Sequence, residues 1–197
     1  MKIKMMTLAA IFCCAMSSTM FTACGSDDDD DDNKVQVDDT KPVGAQMCYG
    51  LIVDDAMLSA FDLTIEYYDE NSQLQTEKLT QEEWEKIVKA TKLPASLGFR
   101  LKAKAKNGID ADFFQKHTGL YGFHYDAGPV NTAGKMVEVP NVDSYRIWGA
   151  RFEFTNKELD SFLSQEDDVM ISVFYDFSDK GAPVGEAWWT AKSLNIK

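Results

Sequence analysis

The sequence predicts a mainly β domain, an antiparallel β-sandwich with two short helices, and three observations carry that reading. Apolar residues recur with period two over most of the chain from Ala45 onward, the spacing of strands with one face on a core. Turn residues punctuate the pattern at Asp69-Glu70-Asn71-Ser72, Asn107-Gly108, Ala127-Gly128-Pro129, Asp179-Lys180-Gly181 and Pro183. Only two segments carry helical spacing, too few for a doubly wound α/β fold, and an immunoglobulin-like arrangement is one option for the sandwich.

Taken in order, Gln46-Met47-Cys48-Tyr49-Gly50-Leu51-Ile52-Val53 reads as a strand. Phe61, Leu63, Ile65 and Tyr67 then alternate with Asp62, Thr64, Glu66 and Tyr68, and the turn after them leads into 73–79 as a hairpin. Thr80-Gln81-Glu82-Glu83 has the form of a capping box. With Trp84, Ile87, Val88 and Thr91 on one face and Pro94 as a stop, it predicts a helix. Over 97–106, Phe99, Leu101, Ala103 and Ala105 alternate with Arg100, Lys102, Lys104 and Lys106. Further strands are expected at 120–126, 136–139, 145–154, 169–177 and 186–196. Thr155-Asn156-Lys157-Glu158 repeats the capping device before Leu159, Phe162 and Leu163 and predicts the second helix.

The N-terminus has a different character. Lys2 and Lys4 precede an apolar run over 5–20, shorter than the ~20 residues of a membrane span, and small residues precede Cys24. This predicts a cleaved signal over 1–23. The segment resembles the lipobox of bacterial lipoproteins: Thr22 and Ala23 match its small positions, while Phe21 departs from the usual leucine. The resemblance implies that Cys24 becomes acylated as the new N-terminus and anchors the protein in a membrane, each buried methylene contributing ~0.8 kcal/mol. An ordinary signal cut near Ala23, leaving Cys24 free, is the competing reading.

Gly25 and Ser26 followed by Asp27, Asp28, Asp29, Asp30, Asp31 and Asp32 are similar to the acidic export signal of surface lipoproteins of certain Gram-negative gut and oral anaerobes. That similarity implies an outer-membrane, lipid-anchored protein facing the cell exterior. Independently of any address, six like charges in a row stay solvated, so 24–40 is read as a disordered tether and 41–197 as one globular domain.

The whole chain has 20 basic and 32 acidic residues; from Lys41 onward the count is 17 against 24, a net of −7. This acidic balance argues against nucleic acid as a partner. Cys13 and Cys14 lie in the signal, so Cys48 is the single cysteine left beyond the anchor and no intrachain disulfide is expected. Inside its strand it reads as a small buried hydrophobe.

Catalytic motifs fail on inspection. Gly128-Pro129-Val130-Asn131-Thr132-Ala133-Gly134-Lys135 has five residues between its glycines, a proline in the would-be phosphate cradle, and Met136 where a hydroxyl is needed. Asp69-Glu70-Asn71-Ser72-Gln73 offers alternating oxygens, but Leu74 and Thr80 stand where a calcium loop requires glycine and glutamate. Glu166-Asp167-Asp168 and Asp110-Ala111-Asp112 read as solvated acidic loops, and His117 and His124 share no helical face. No cofactor or metal is expected.

Binding features are clearer. A strand points adjacent residues to opposite faces, so each of Tyr67-Tyr68, Phe174-Tyr175 and Trp188-Trp189 sends one ring outward; Tyr68, Tyr175, Trp188 and Trp189 are the candidates for contact with a glycan or a protein. The stripe Arg100, Lys102, Lys104, Lys106 suits an acidic polysaccharide or the protein's own aspartate-rich tether, or else guards a strand from edge-to-edge aggregation. The sequence thus favours a lipid-anchored, non-catalytic binding or assembly module. An envelope-associated glycan hydrolase with its carboxylate pair on distant strands is the alternative.

Overall fold

A computed structural model describes residues 39–109, 112–141, 143–164 and 168–189, with the side chains of Glu186, Trp188 and Trp189 outside the description. The chain divides into two compact units, Met1–Val37 and Asp38–Lys197, and every described residue belongs to the second. The predicted signal, Cys24, Ser26 and Asp27 to Asp32 therefore lie outside the described residues, as do Asp110, Ala111, Glu166 and Asp167.

Among the described residues there are nine strands: β1 (Gly44–Val53), β2 (Phe61–Tyr68), β3 (Leu74–Leu79), β4 (Glu83–Ala90), β5 (Ala95–Ala105), β6 (Gly119–Val130), β7 (Arg146–Phe154), β8 (Val169–Phe177) and β9 (Pro183–Trp189). They form a four-stranded sheet in the order β4-β1-β6-β7 and a five-stranded sheet in the order β3-β2-β5-β8-β9. All registered pairs are antiparallel. The predicted β-sandwich is thus present. Its likeness to immunoglobulin domains is one of architecture, because the strand orders β4-β1-β6-β7 and β3-β2-β5-β8-β9 differ from A-B-E-D and C-F-G.

The inward rows meet in one core. Tyr49 of β1 stacks on Phe99 of β5 with centroids 5.3 Å apart, and Phe99 meets Phe123 of β6 edge to face. Burying side chains of this size removes enough apolar surface from water to drive association of the two sheets. The three short helices among the described residues, α1 (Asp55–Ala60), α2 (Phe113–Lys116) and α3 (Asn156–Leu163), sit at one end, where Phe61, Phe114, Phe154 and Phe162 pack together. The predicted second helix is α3, and its capping box between Thr155 and Glu158 is formed. Asp54, accepting from the Met57 amide at 3.0 Å, starts α1.

Two expectations are corrected. The segment read as a helix after Thr80 is strand β4. Trp84, Lys86, Val88 and Ala90 form its inward row, while Ile87 is 53% exposed. The apolar positions 84, 87, 88 and 91 satisfy a helical period only because a lysine occupies the inward position 86 of a two-residue period. The expected strand over 136–139 is instead part of a loop, touching the sheet through one bridge between Val130 and Met136. The strand expected over 186–196 is β9 as far as Trp189, and the rest lies outside the described residues.

Candidate binding surface

Alternation in β2 buries Tyr67 and turns Tyr68 to the outer face of the five-stranded sheet. Across β5 it meets Phe174 of β8, edge to face, with centroids 5.4 Å apart. Gly98 lies between them in the ladder and has φ +152, a backbone region costly for any side chain. A Cβ there would stand 2.3 Å from the Val173 carbonyl oxygen and 2.6 Å from the Phe174 ring. Glycine thus lets the aromatic pair close over the strand. Leu74, opposite Tyr68 in β3, is 54% exposed and extends the apolar row.

The next row along the sheet is charged. The Arg100 guanidinium lies 5.3 Å from the Phe174 ring centroid, in cation–π range. Glu66, its ladder partner, accepts from Arg100 at 3.4 Å and lies 3.5 Å from Lys102, which is 3.3 Å from Asp168. These neighbouring carboxylates, Asp168 first, hold the Lys102 ammonium above its ordinary pKa. Lys106 leaves the stripe, donating to the Leu58 carbonyl oxygen at 2.7 Å. Strand β5 is the middle strand of five, so the stripe does not guard a sheet edge as the sequence allowed.

The other aromatic candidates separate. Tyr175 is buried, and its hydroxyl pairs with that of Tyr125 at 3.0 Å across the two sheets, so it is a core residue and its neighbour Phe174 is the outward ring. Burial, then this hydrogen bond, keeps Tyr125 protonated far above the usual tyrosine range. The ladder pairs Trp188 with Ser172, in the same cross-strand row as Arg100, and Trp189 with Ile171, in the row of Leu101.

The densest polar cluster was missed by sequence because it sits on inward positions of the edge strands β3 and β4. Glu77 accepts from Lys86 at 2.6 Å, from Tyr67 at 2.5 Å and from the Trp84 indole at 3.0 Å. Lys86 also donates to the Tyr67 hydroxyl and lies 3.9 Å from that ring's centroid. Hydrogen bonds from Lys86, Tyr67 and Trp84 together hold the Glu77 carboxyl down at about 2. Tyr49 stacks beneath on Trp84, 5.5 Å between centroids, and burial raises its hydroxyl well above the normal range. This cluster closes the side of the sandwich where β3 and β4 have no strand neighbour. An inward lysine opposite an inward glutamate has no signature in a single sequence.

The remaining candidates carry less. Cys48 is half-buried on the outer face of β1, opposite Asp126, rather than in the core. Asp126 has an oxygen without a hydrogen-bond partner, and burial raises its pKa. His124 lies over Gly50, where a Cβ would come within 2.3 Å of the ring, while His117 stacks on Phe113. Among the described residues no group of three or more His, Cys, Asp or Glu is placed to hold a metal ion. The segment over 69–73 is a hairpin turn in which Asp69 accepts from the Gln73 and Asn71 amides, both at 2.9 Å. Asn131 organises the glycine-containing loop by accepting from the Ala133 and Lys135 amides. The molecule is therefore defined as a two-sheet antiparallel sandwich with an aromatic and basic outer face. No protein-family model, no curated protein sequence and no solved structure matches this chain.

Proposed function

We propose that this protein is a lipid-anchored cell-surface binding or assembly module whose ligand face is the outer face of the five-stranded sheet. The observation that carries the reading is the outward pair Tyr68 and Phe174, closed over Gly98 beside Arg100. Large rings placed outward with a cation held next to them suit recognition of a glycan or a protein, because they contribute contact area at small entropic cost. The lipobox-like residues before Cys24 and the run Asp27 to Asp32 support the anchored, exterior location. In this reading acyl chains on Cys24 are the anchor; among the described residues no helix is long and apolar enough to cross a membrane.

The test uses the full-length protein extracted in detergent, screened against glycans and envelope proteins. Saturable binding without turnover, weakened in Tyr68→Ala and Phe174→Ala at an unchanged unfolding midpoint, supports the reading. Turnover of any substrate favours the hydrolase alternative and overturns it. Cys24→Ser should move the protein from the membrane to the soluble fraction; detergent-requiring membrane association in that variant defeats the anchoring claim.

A further inference from the structure

We infer that the free side of β7 is a slot for a single added strand, and that its occupant is the segment following β9, residues 190–197. The slot lies at a lateral edge of the sandwich, away from the proposed ligand face, and is independent of that reading.

The two sheets are out of step laterally. At the closed side, β4 faces β3 and β2 through Lys86 on Glu77 and Trp84 on Tyr67. Tyr49 of β1 then meets Tyr67 of β2 and Phe99 of β5, while β6 reaches Phe99 through Phe123 and Tyr175 of β8 through Tyr125. β7, the last strand of its sheet, also meets β8, with the Arg146 guanidinium 6.0 Å from the Tyr175 ring centroid. β9 therefore lies one place further out, facing the free side of β7. Exposure marks the same place. On the inward row of β9, Gly185 is exposed and Ala187 half-buried, and Trp148, in the inward row of β7 opposite Tyr125, is 51% exposed. Inward positions of a sandwich stay in water where the facing strand is missing.

This edge is also the least guarded among the described residues. β4 carries Glu83, Glu85, Lys86 and Lys89, β3 carries Glu77 and Lys78, and β9 begins at Pro183. The stretch Ile147-Trp148-Gly149-Ala150 of β7 holds no charge, and Ile147 is 70% exposed. Such an edge offers its backbone donors and acceptors to another strand.

The overhang of β9 selects the occupant. Pairing β7 with its counterpart in a second copy would bring both copies' β9 to the one place facing the joint, so a second sandwich does not fit, whereas a lone strand does. Residues 190–197 start beside it. Trp189 pairs with Ile171 near the start of β8, and β7 ends at Phe154, so both stand at the α3 end and a chain turning there runs antiparallel to β7. The three steps from Trp189 to Lys192 span ~10 Å when extended, which matches the ~10 Å between stacked sheets. Lys192, Leu194 and Ile196 then alternate with Ser193, Asn195 and Lys197. With Lys192 opposite Phe152, Leu194 falls opposite Ala150 and Ile196 opposite Trp148. That sets two large apolar side chains beside the small Ala150, Gly185 and Ala187 and against the exposed tryptophan. A lysine at an inward edge position has its precedent in Lys86 of β4, since the long stem reaches water past the edge.

Two measurements on the full chain in detergent test the slot. Amide hydrogen exchange over 147–152 should be slow in the wild type and at least ~10-fold faster in the double variant Leu194→Asp, Ile196→Asp, with β1 and β6 unchanged. Ser193→Cys combined with Arg151→Cys, in a Cys48→Ser background, should form a disulfide within one chain on oxidation, mapped by peptide mass spectrometry. Ser193→Cys combined with Glu85→Cys, on the opposite edge, should form none. Exchange over β7 that is equally fast in wild type and double variant shows an open edge and overturns the inference. Equally slow exchange shows the edge covered by something else and overturns it too. Disulfide-linked dimers without linked monomers give the slot to a neighbouring copy and overturn docking within one chain. Should the double variant lose its fold, seen as fast exchange in β1 as well, the disulfide decides: no link between positions 193 and 151 overturns the inference.

Discussion

Replacing Glu77 by glutamine tests the energetics of the lateral edge most directly. The carboxylate accepts from Lys86, Tyr67 and Trp84, and glutamine keeps its shape but not its charge or its pure acceptor character. One of those three donors would then face an NH₂ group. A pKa drawn down from 4.5 to about 2 corresponds to about 3.4 kcal/mol at ~1.36 kcal/mol per pH unit. The Glu77 side chain is 40% exposed, so solvent screening reduces this by roughly half, to ~1.5–2 kcal/mol. Because the folded pKa is depressed, this stabilisation is full above the unfolded value of 4.5 and is lost as pH falls toward about 2. Urea unfolding of wild type and Glu77→Gln, followed by tryptophan fluorescence at intervals between pH 7 and pH 2.5, measures it without added ionic screening. The two stabilities should differ by ~1.5–2 kcal/mol at pH 7, and more than half of that difference should be gone by pH 3. A difference that stays constant across the range, or one below ~0.5 kcal/mol at pH 7, would show that the short contacts contribute no net charge stabilisation.

Three further perturbations address other parts of the molecule. Gly98→Ala should cost ~2–3 kcal/mol or more, read by thermal unfolding, because φ +152 and the close Val173 carbonyl oxygen leave no room for a Cβ; an unchanged midpoint would mean that the strand can shift. Tyr175→Phe should cost ~1–3 kcal/mol by leaving the buried Tyr125 hydroxyl without its partner, checked by denaturant midpoints, whereas a neutral outcome would place water there. If the proposed anchor and export address hold, replacing Asp27 to Asp32 by alanine should keep membrane attachment yet reduce protease accessibility on intact cells; equal exposure would overturn the export role.

Strand regions were legible because one face of most strands is fully apolar. Phe61, Leu63, Ile65 and Tyr67, like Leu97, Phe99, Leu101 and Ala103, are buried every second residue, and no helix can satisfy that spacing. The expectation failed at β4 because an edge strand next to solvent tolerates Lys86 inward and Ile87 outward, which blurs its period. Helices α1 and α2 were illegible for a different reason: six and four residues are too few to establish a period, and they are held by the phenylalanine cluster at that end. For the candidate face, adjacency required one ring of Phe174-Tyr175 to point outward but could not say which. That choice depends on the register of β8 against β5, a long-range pairing fixed by Val173 opposite Phe99 and Tyr175 opposite Leu97.

The way the chain enters the domain bears on how such a module would carry load from a tether. Asn131, almost wholly buried, donates from its side-chain amide to the Asp39 carbonyl oxygen at 2.7 Å, and the Val43 amide bonds to Val130 at 2.8 Å. The chain then runs directly into β1, an interior strand with eight registered partners in β4 and ten in β6. Antiparallel ladder bonds lie perpendicular to their strands, so tension along β1 strains both ladders together instead of opening them one bond at a time. The proposed ligand face belongs to the other sheet, and its strands β2, β5 and β8 contain no residue of β1. A load between the N-terminal segment and a ligand on that face would have to cross from one sheet to the other through core contacts such as Tyr49 on Phe99 and Phe99 on Phe123, so the packing between the sheets, and not the β1 ladders alone, would carry it.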